Sequence, residues 1–170
     1  MNEWPNVCFP RINFYWARDY FPNFVEEDRR VMVSYDGHLY FSALDKIDQG
    51  NYSCNVHGMA SDDGRNGPFF HLDVTPHPNY QQLRFPQNFP KAFPEAPVAG
   101  EDVRLECIAF GYPVPYYNWT RVNSDIPEGA IVTNHNRVLI LPRVRVEDQG
   151  EYQCRAQNDK VSITGRVVLR

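Results

Sequence analysis

No stretch of about 18 apolar residues occurs in the 170-residue chain, so nothing in it is patterned to span a bilayer. The opening Met1-Asn-Glu-Trp-Pro-Asn-Val7 also lacks the apolar run of a secretory leader. Positive charge is not in excess. With 17 Lys and Arg against 21 Asp and Glu, the net charge of -4 leaves no surplus of cations to neutralise phosphates, which sets nucleic acid aside as a partner. The chain has no C-x-x-C pair for zinc, no H-E-x-x-H helix, no Gly-x-Ser-x-Gly elbow and no phosphate-cradling loop. Its five histidines, His38, His57, His71, His77 and His135, share no ligand spacing. The acidic run Glu26-Glu-Asp28 meets Arg29-Arg30 and reads as a solvated loop, because nothing there raises one carboxyl pKa while lowering another. Catalysis, a metal and a cofactor are therefore not expected.

What is present is rich in strand formers and turn makers: ten Tyr, eleven Phe and fourteen Pro, with four Cys. The composition is that of an all-β protein, and the length suits two small domains. Sliding the sequence against itself aligns Leu39-x-Phe41-x-x-Leu44-x-x-x-Asp48-Gln-Gly50-x-Tyr52-x-Cys54 with Leu139-x-Leu141-x-x-Val144-x-x-x-Asp148-Gln-Gly150-x-Tyr152-x-Cys154. Each copy begins with the alternation of a strand that has one face in a core, then turns into a second such strand. Glycine at 50 and 150 suits a tight corner, and the tyrosine hydroxyl, once buried, must bond back to the corner's backbone.

This pattern resembles the tyrosine corner of immunoglobulin-like domains, in which the tyrosine stands two residues before the second cysteine of an inter-sheet disulfide. In the later copy, Val103-Arg-Leu105-Glu-Cys107 alternates like strand B and Trp119 follows Cys107 by twelve residues, giving the Cys…Trp…Cys core with Cys107 bridged to Cys154. Such a bridge contributes roughly 4 to 5 kcal/mol in the chain-entropy treatment and belongs to oxidising compartments. The expected fold is thus two tandem immunoglobulin-like β-sandwiches, residues 1–76 and 77–170, the first incomplete at its N-terminus. Cys8 lies only eight residues before Trp16 and has seven residues ahead of it. Either it pairs with Cys54 through a short connection, or the strand-B cysteine lies upstream of Met1.

Pro76-His-Pro78 and then Pro86, Pro90, Pro94 and Pro97 mark a semi-rigid lead-in to the second domain, with Gln81-Gln-Leu-Arg-Phe85 as an edge strand. Val161 to Arg170 alternates as a last strand. Ser61-Asp-Asp-Gly-Arg-Asn-Gly67 reads as a hairpin turn with both glycines at positive φ. Its polar tip, Asp62, Asp63, Arg65 and Asn66, is a candidate partner surface. Asn51-Tyr-Ser53 and Asn118-Trp-Thr120 are N-glycosylation sequons, and since Tyr52 and Trp119 face inward, both asparagines should face solvent. Asp48 and Asp148 are expected to accept backbone or arginine hydrogen bonds.

Three segments, Phe14-Tyr-Trp16-Ala-Arg-Asp-Tyr-Phe-Pro22, Leu39 to Cys54, and Val103 to Pro115, resemble the second and third immunoglobulin-like domains of contactins, and arthropod contactin most. The likeness runs over nearly the whole chain. It implies a lipid-anchored glycoprotein of the cell surface, acting in axon and glial contact or in septate junctions. The partners it implies are neurexin-type and neuroglian-type proteins and receptor tyrosine phosphatases, the last through the hairpin at Ser61 to Gly67. In the family the strand-B cysteine of the first of these domains lies farther upstream of the tryptophan than Cys8 does. An alternative from another class is the ligand-binding ectodomain of a receptor tyrosine kinase or phosphatase.

Overall fold

The computed structural model of the protein describes residues 12–58, 63–76 and 79–170. These fall into two compact units. The first holds the described residues up to Glu26 with those of Val33–Leu39 and Asp45–Thr75; the second holds Glu27–Met32, Tyr40–Leu44 and those from Pro76 to Arg170.

The early strands are β1 (Ile12–Arg18), β2 (Val31–Val33), β3 (Leu39–Phe41), β4 (Gly50–Gly58), β5 (Gly64–Asn66) and β6 (Phe70–Leu72). The long strand β4 is the spine of one sheet and pairs antiparallel with β1, β5 and β6, while β2 pairs with β3. Alternation sets the faces. Tyr52 points into the core and Asn51 points out. The turn before β3 is held from two sides: Gly37 donates to the Ser34 carbonyl at 2.9 Å, and its own carbonyl accepts from Trp16 Nε1 at 2.8 Å. Only glycine fits there, because φ is +91° and a Cβ would stand 2.5 Å from the Phe14 ring.

The Ser61 to Gly67 segment departs from the expected turn geometry at its two glycines. Gly64 and Gly67 do not have positive φ. Gly64 begins a strand, β5, which pairs with β4 through Asn55–Asn66, Val56–Arg65 and His57–Gly64. Gly67 sits where the backbone of β4 passes close by: its N–H donates to the Cys54 carbonyl at 2.9 Å, and a Cβ would lie 2.5 Å from that oxygen. Asp-Gly and Asn-Gly steps look alike whether they turn the chain or let two backbones approach, so the dipeptides misled.

The second unit carries β7 (Gln81–Arg84), β8 (Lys91–Phe93), β9 (Val103–Glu106), β10 (Phe110–Tyr112), β11 (Tyr116–Arg121), β12 (Ile131–Thr133), β13 (Val138–Leu141), β14 (Gly150–Gln157) and β15 (Ser162–Leu169). A four-stranded sheet runs β12-β13-β9-β8 and a three-stranded sheet runs β11-β14-β15, the four-plus-three division of a constant-type immunoglobulin sandwich. Strand β7 pairs only with the short β10, as an edge strand in a proline-rich segment should. Inward residues of both sheets meet in one core: Leu105, Cys107, Trp119, Leu139, Leu141, Tyr152 and Cys154. The Cys107–Cys154 disulfide joins the sheets, and its 47-residue separation corresponds to about 4 kcal/mol in the chain-entropy treatment.

Met32, Phe89, Ile108 and Val138 form a smaller cluster in the same unit, with Tyr40 and Phe85 packed on it. Arg137 lies beside it, fully buried. A buried guanidinium is tolerable only with acceptors around it: Arg137 donates to Asp28 O at 2.6 Å, to Asn134 O at 3.1 Å and to the Asn134 side-chain Oδ1. Burial lowers its pKa from the ordinary arginine value.

The Tyr152 hydroxyl donates to the Asp148 carbonyl at 2.8 Å inside this core. Tyr152→Phe removes the donor, and the expected loss is about 1 to 3 kcal/mol in urea unfolding; an unchanged midpoint would mean that the bond does not hold the corner. Burial also pushes the Tyr152 and Tyr117 phenols up. A phenol raised in the folded state contributes stability that is complete below its ordinary value near 10 and lost as pH climbs past it. Unfolding free energy should therefore hold through neutral pH and fall above about pH 10; a decline setting in near pH 8 would contradict this.

Candidate interaction surface

The two corners are built alike down to single atoms. In each, a short 3-10 turn, Lys46–Asp48 or Val146–Asp148, precedes the long strand. Tyr52 donates to the Asp48 carbonyl at 2.6 Å, matching Tyr152 and Asp148. The aspartate side chain closes the turn from within, Oδ2 accepting from Asp45 N at 2.6 Å and from Arg145 N at 2.8 Å in the respective copies. Both aspartates thus accept from a backbone N–H at the start of the turn.

An arginine takes part all the same, in a role the sequence reading missed. Arg18 donates to the carbonyls of Ile47 and Gln49, and Arg121 to those of Glu147 and Gln149. Each arginine stands two residues after the core tryptophan, in Trp16-Ala-Arg18 and Trp119-Thr-Arg121. In both sheets the register then places it opposite the corner tyrosine, Arg18 on Tyr52 and Arg121 on Tyr152. The W-x-R repeat was the available signal.

The copies differ at three points. Trp16 Nε1 has the Gly37 carbonyl, whereas Trp119 Nε1 is buried without a hydrogen-bond partner. Gly150 has φ +152°, while at position 50 glycine serves closeness, because a Cβ would meet Asp19 Oδ1 at 2.7 Å. Cys54 faces Trp16 in register just as Cys154 faces Trp119, yet it is a partly buried free thiol whose pKa burial pushes up. Cys8 lies outside the described residues.

Both sequon asparagines are exposed, Asn51 on β4 and Asn118 on β11. Asn51 Oδ1 lies 3.0 Å from His71 Nδ1. Of the proposed hairpin tip, Asp63, Arg65 and Asn66 are exposed, with Arg65 and Asn66 on β5; Asp62 lies outside the described residues. Among the described residues no group of three or more His, Cys, Asp or Glu is placed to hold a metal ion, and no helix is long and apolar enough to cross a membrane.

The first unit also bears an aromatic surface that the sequence reading did not single out as a site. Tyr15 on the outer face of β1 lies 5.6 Å from Phe24, and Phe24 lies 5.6 Å from Phe21, edge to face. Tyr15 is 41%, Tyr20 64%, Phe21 50% and Phe24 46% exposed, too much apolar ring surface in water for a core. The turn that carries three of them is well fixed. Arg18 N donates to Asn23 O, Asn23 Nδ2 to Arg18 O, and Val25 N to Trp16 O, all within 2.8 Å. Rigid aromatic rings on a set backbone lose little entropy on contact, which is the chemistry of a protein-binding face.

Two sheets, a core disulfide and paired tyrosine corners make this an immunoglobulin-superfamily module of the kind found in adhesion proteins. The family model for the immunoglobulin domain matches residues 91–158. Sidekick-1 immunoglobulin domains 1-5 superpose with a TM-score of 0.77 over 96% of this chain and 35% of theirs, at 21% identity. The contactin of Drosophila melanogaster is 56% identical over 165 residues, 97% of this chain. Contactin-3 of Rattus norvegicus is 34% identical over 157 residues, 88% of this chain and 15% of the relative. The chain belongs to the contactin family of immunoglobulin-like domains. It spans about 12% of the length of its Drosophila relative.

The state of Cys54 is open to chemistry. Unfolded without reductant, the peptide holding Cys54 should alkylate fully, and in the folded protein at pH 8 it should react more slowly than a free cysteine peptide, because a raised pKa leaves less thiolate. No labelling until a reductant is added would reveal a bridge instead.

Proposed function

We propose that this chain is an extracellular adhesion module that binds other cell-surface proteins, as the second and third immunoglobulin-like domains of a contactin-like protein of neurons or septate junctions. The observation that carries this is the 56% identity to Drosophila contactin over 97% of the chain. The Cys107–Cys154 disulfide supports it, since such a bridge needs an oxidising compartment. The parent protein is then held to the plasma membrane by a lipid anchor and carries glycans on Asn51 and Asn118. Neurexin-type and neuroglian-type proteins are the first partner class, and receptor tyrosine phosphatases the second.

Two surfaces of the first unit compete for the contact, the polar β5 hairpin with Asp63 and Arg65 and the aromatic surface of Tyr15, Phe21 and Phe24. The second has more to offer energetically. Aromatic anchors dominate the energetics of protein interfaces, whereas solvent-exposed charges are typically worth less than about 1 kcal/mol each.

Surface plasmon resonance of the glycosylated, secreted chain against neurexin-type and neuroglian-type ectodomains tests the reading. Saturable binding is expected, weakened at least tenfold by Tyr15→Ser with Phe24→Ser, about 1.4 kcal/mol or more, and little changed by Arg65→Ala. Absence of binding to every junctional ectodomain, by a protein that is folded and glycosylated, would overturn it.

A further inference from the structure

The outer face of the sheet β11-β14-β15 differs in kind from the aromatic surface. Register lays three side-chain rows across it: Asn118, Arg155 and Thr164 in the middle, with Thr120, Gln153 and Arg166 on one side and Tyr116, Gln157 and Ser162 on the other. All of these but the Tyr116 ring are polar, and no aliphatic side chain interrupts them. Six of them line a shallow open trough of about 460 Å³. One asparagine in its wall, Asn118, is the acceptor of the sequon Asn118-Trp-Thr120, and the strand alternation that buries Trp119 aims Asn118 into this face.

We propose that the glycan on Asn118 lies down in this trough, so that the β11-β14-β15 face is a saccharide-contacting surface occupied by the chain's own sugar and closed to protein partners. The inference rests on the extracellular reading above. Dimensions allow it. Adjacent strands lie about 4.8 Å apart, so β15 is about 10 Å from β11, within reach of the first sugars attached at Asn118 Nδ2. Chemistry favours it too. A core of N-acetylglucosamine presents hydroxyls and acetamide oxygens, and the trough answers with hydroxyl, amide and guanidinium groups. Arg155 spends only its Nε on Ser162 Oγ, at 2.7 Å, out of the five N–H donors of a guanidinium. At the end of the face stands Tyr116, 68% exposed, with the Arg29 guanidinium 4.0 Å over one side of its ring, so that a pyranose can pack only on the other.

Arginine labelling separates the possibilities. The secreted, glycosylated chain, the same protein after enzymatic removal of N-glycans, and a Thr120→Ala variant that lacks the sequon are treated with phenylglyoxal and mapped by mass spectrometry. Arg155 should react at least about threefold more slowly with the glycan present, while Arg145, away from the trough, reacts alike in all three. A glycosylated Asn118 with Arg155 labelled at the same rate in each form would overturn the resting place and leave the adhesion reading untouched. A bare Asn118 in a chain secreted through a glycosylating pathway would overturn the occupant. If added mannose-type oligosaccharide slows Arg155 in Thr120→Ala while the attached glycan does not, the trough takes sugar from another molecule and the assignment to Asn118 falls.

Discussion

A tyrosine hydroxyl bonded to a carbonyl four residues back is the contact on which both units depend. It pins a turn to the strand that follows, with the hydroxyl drawn into a core where an unpaired donor is costly. The turn cannot move without exposing that donor, and the strand cannot slip without taking the ring out of the core. Everything around it is arranged to keep the carbonyl in place: the aspartate side chain bonds back to the start of the turn, and an arginine from the neighbouring strand holds the carbonyls on either side. Through that arginine the corner is tied to the tryptophan strand, and so to the centre of the sheet.

The copies diverge at the cysteine and at the tryptophan. In the second unit a disulfide runs from Cys154 to Cys107 and links the two sheets directly across the core. Among the described residues of the first unit, Cys54 occupies the matching place with a free thiol. There the indole of Trp16 has a carbonyl to bind, and the turn that supplies it is shaped by Gly37. The same local skeleton is thus stabilised by a covalent cross-link in one unit and by turn hydrogen bonds in the other.

Much of this was legible in the residues. The repeat located both corners because a buried hydroxyl and a tight glycine are each demanding, and few sequences meet those demands twice at equal spacing. The Cys107–Cys154 bridge followed from the resemblance to the immunoglobulin Cys…Trp…Cys pattern, and the outward asparagines from alternation. The β5 glycines did not follow, since close approach of two backbones leaves the same dipeptides as a turn. Nor did the grouping of Glu27–Met32 and Tyr40–Leu44 with the second unit. Met32 and Tyr40 alternate like ordinary strand residues, and nothing local says which core they enter. The aromatic surface was hidden for a related reason: nothing local tells whether Tyr20, Phe21 and Phe24 enter a core, and their exposure places them outside it.

Two faces of opposite character follow from these placements, one aromatic and rigid on the first unit, one polar and bearing a sequon on the second. An adhesion module needs such a division, because a face covered by sugar restricts where a protein can dock. Differential hydrogen exchange on the glycosylated chain, free and bound to a cell-surface partner, tests that division directly. Slowed exchange confined to residues 15–24 is the expected result. Slowed exchange at residues 153–164 with none at residues 15–24 would contradict it.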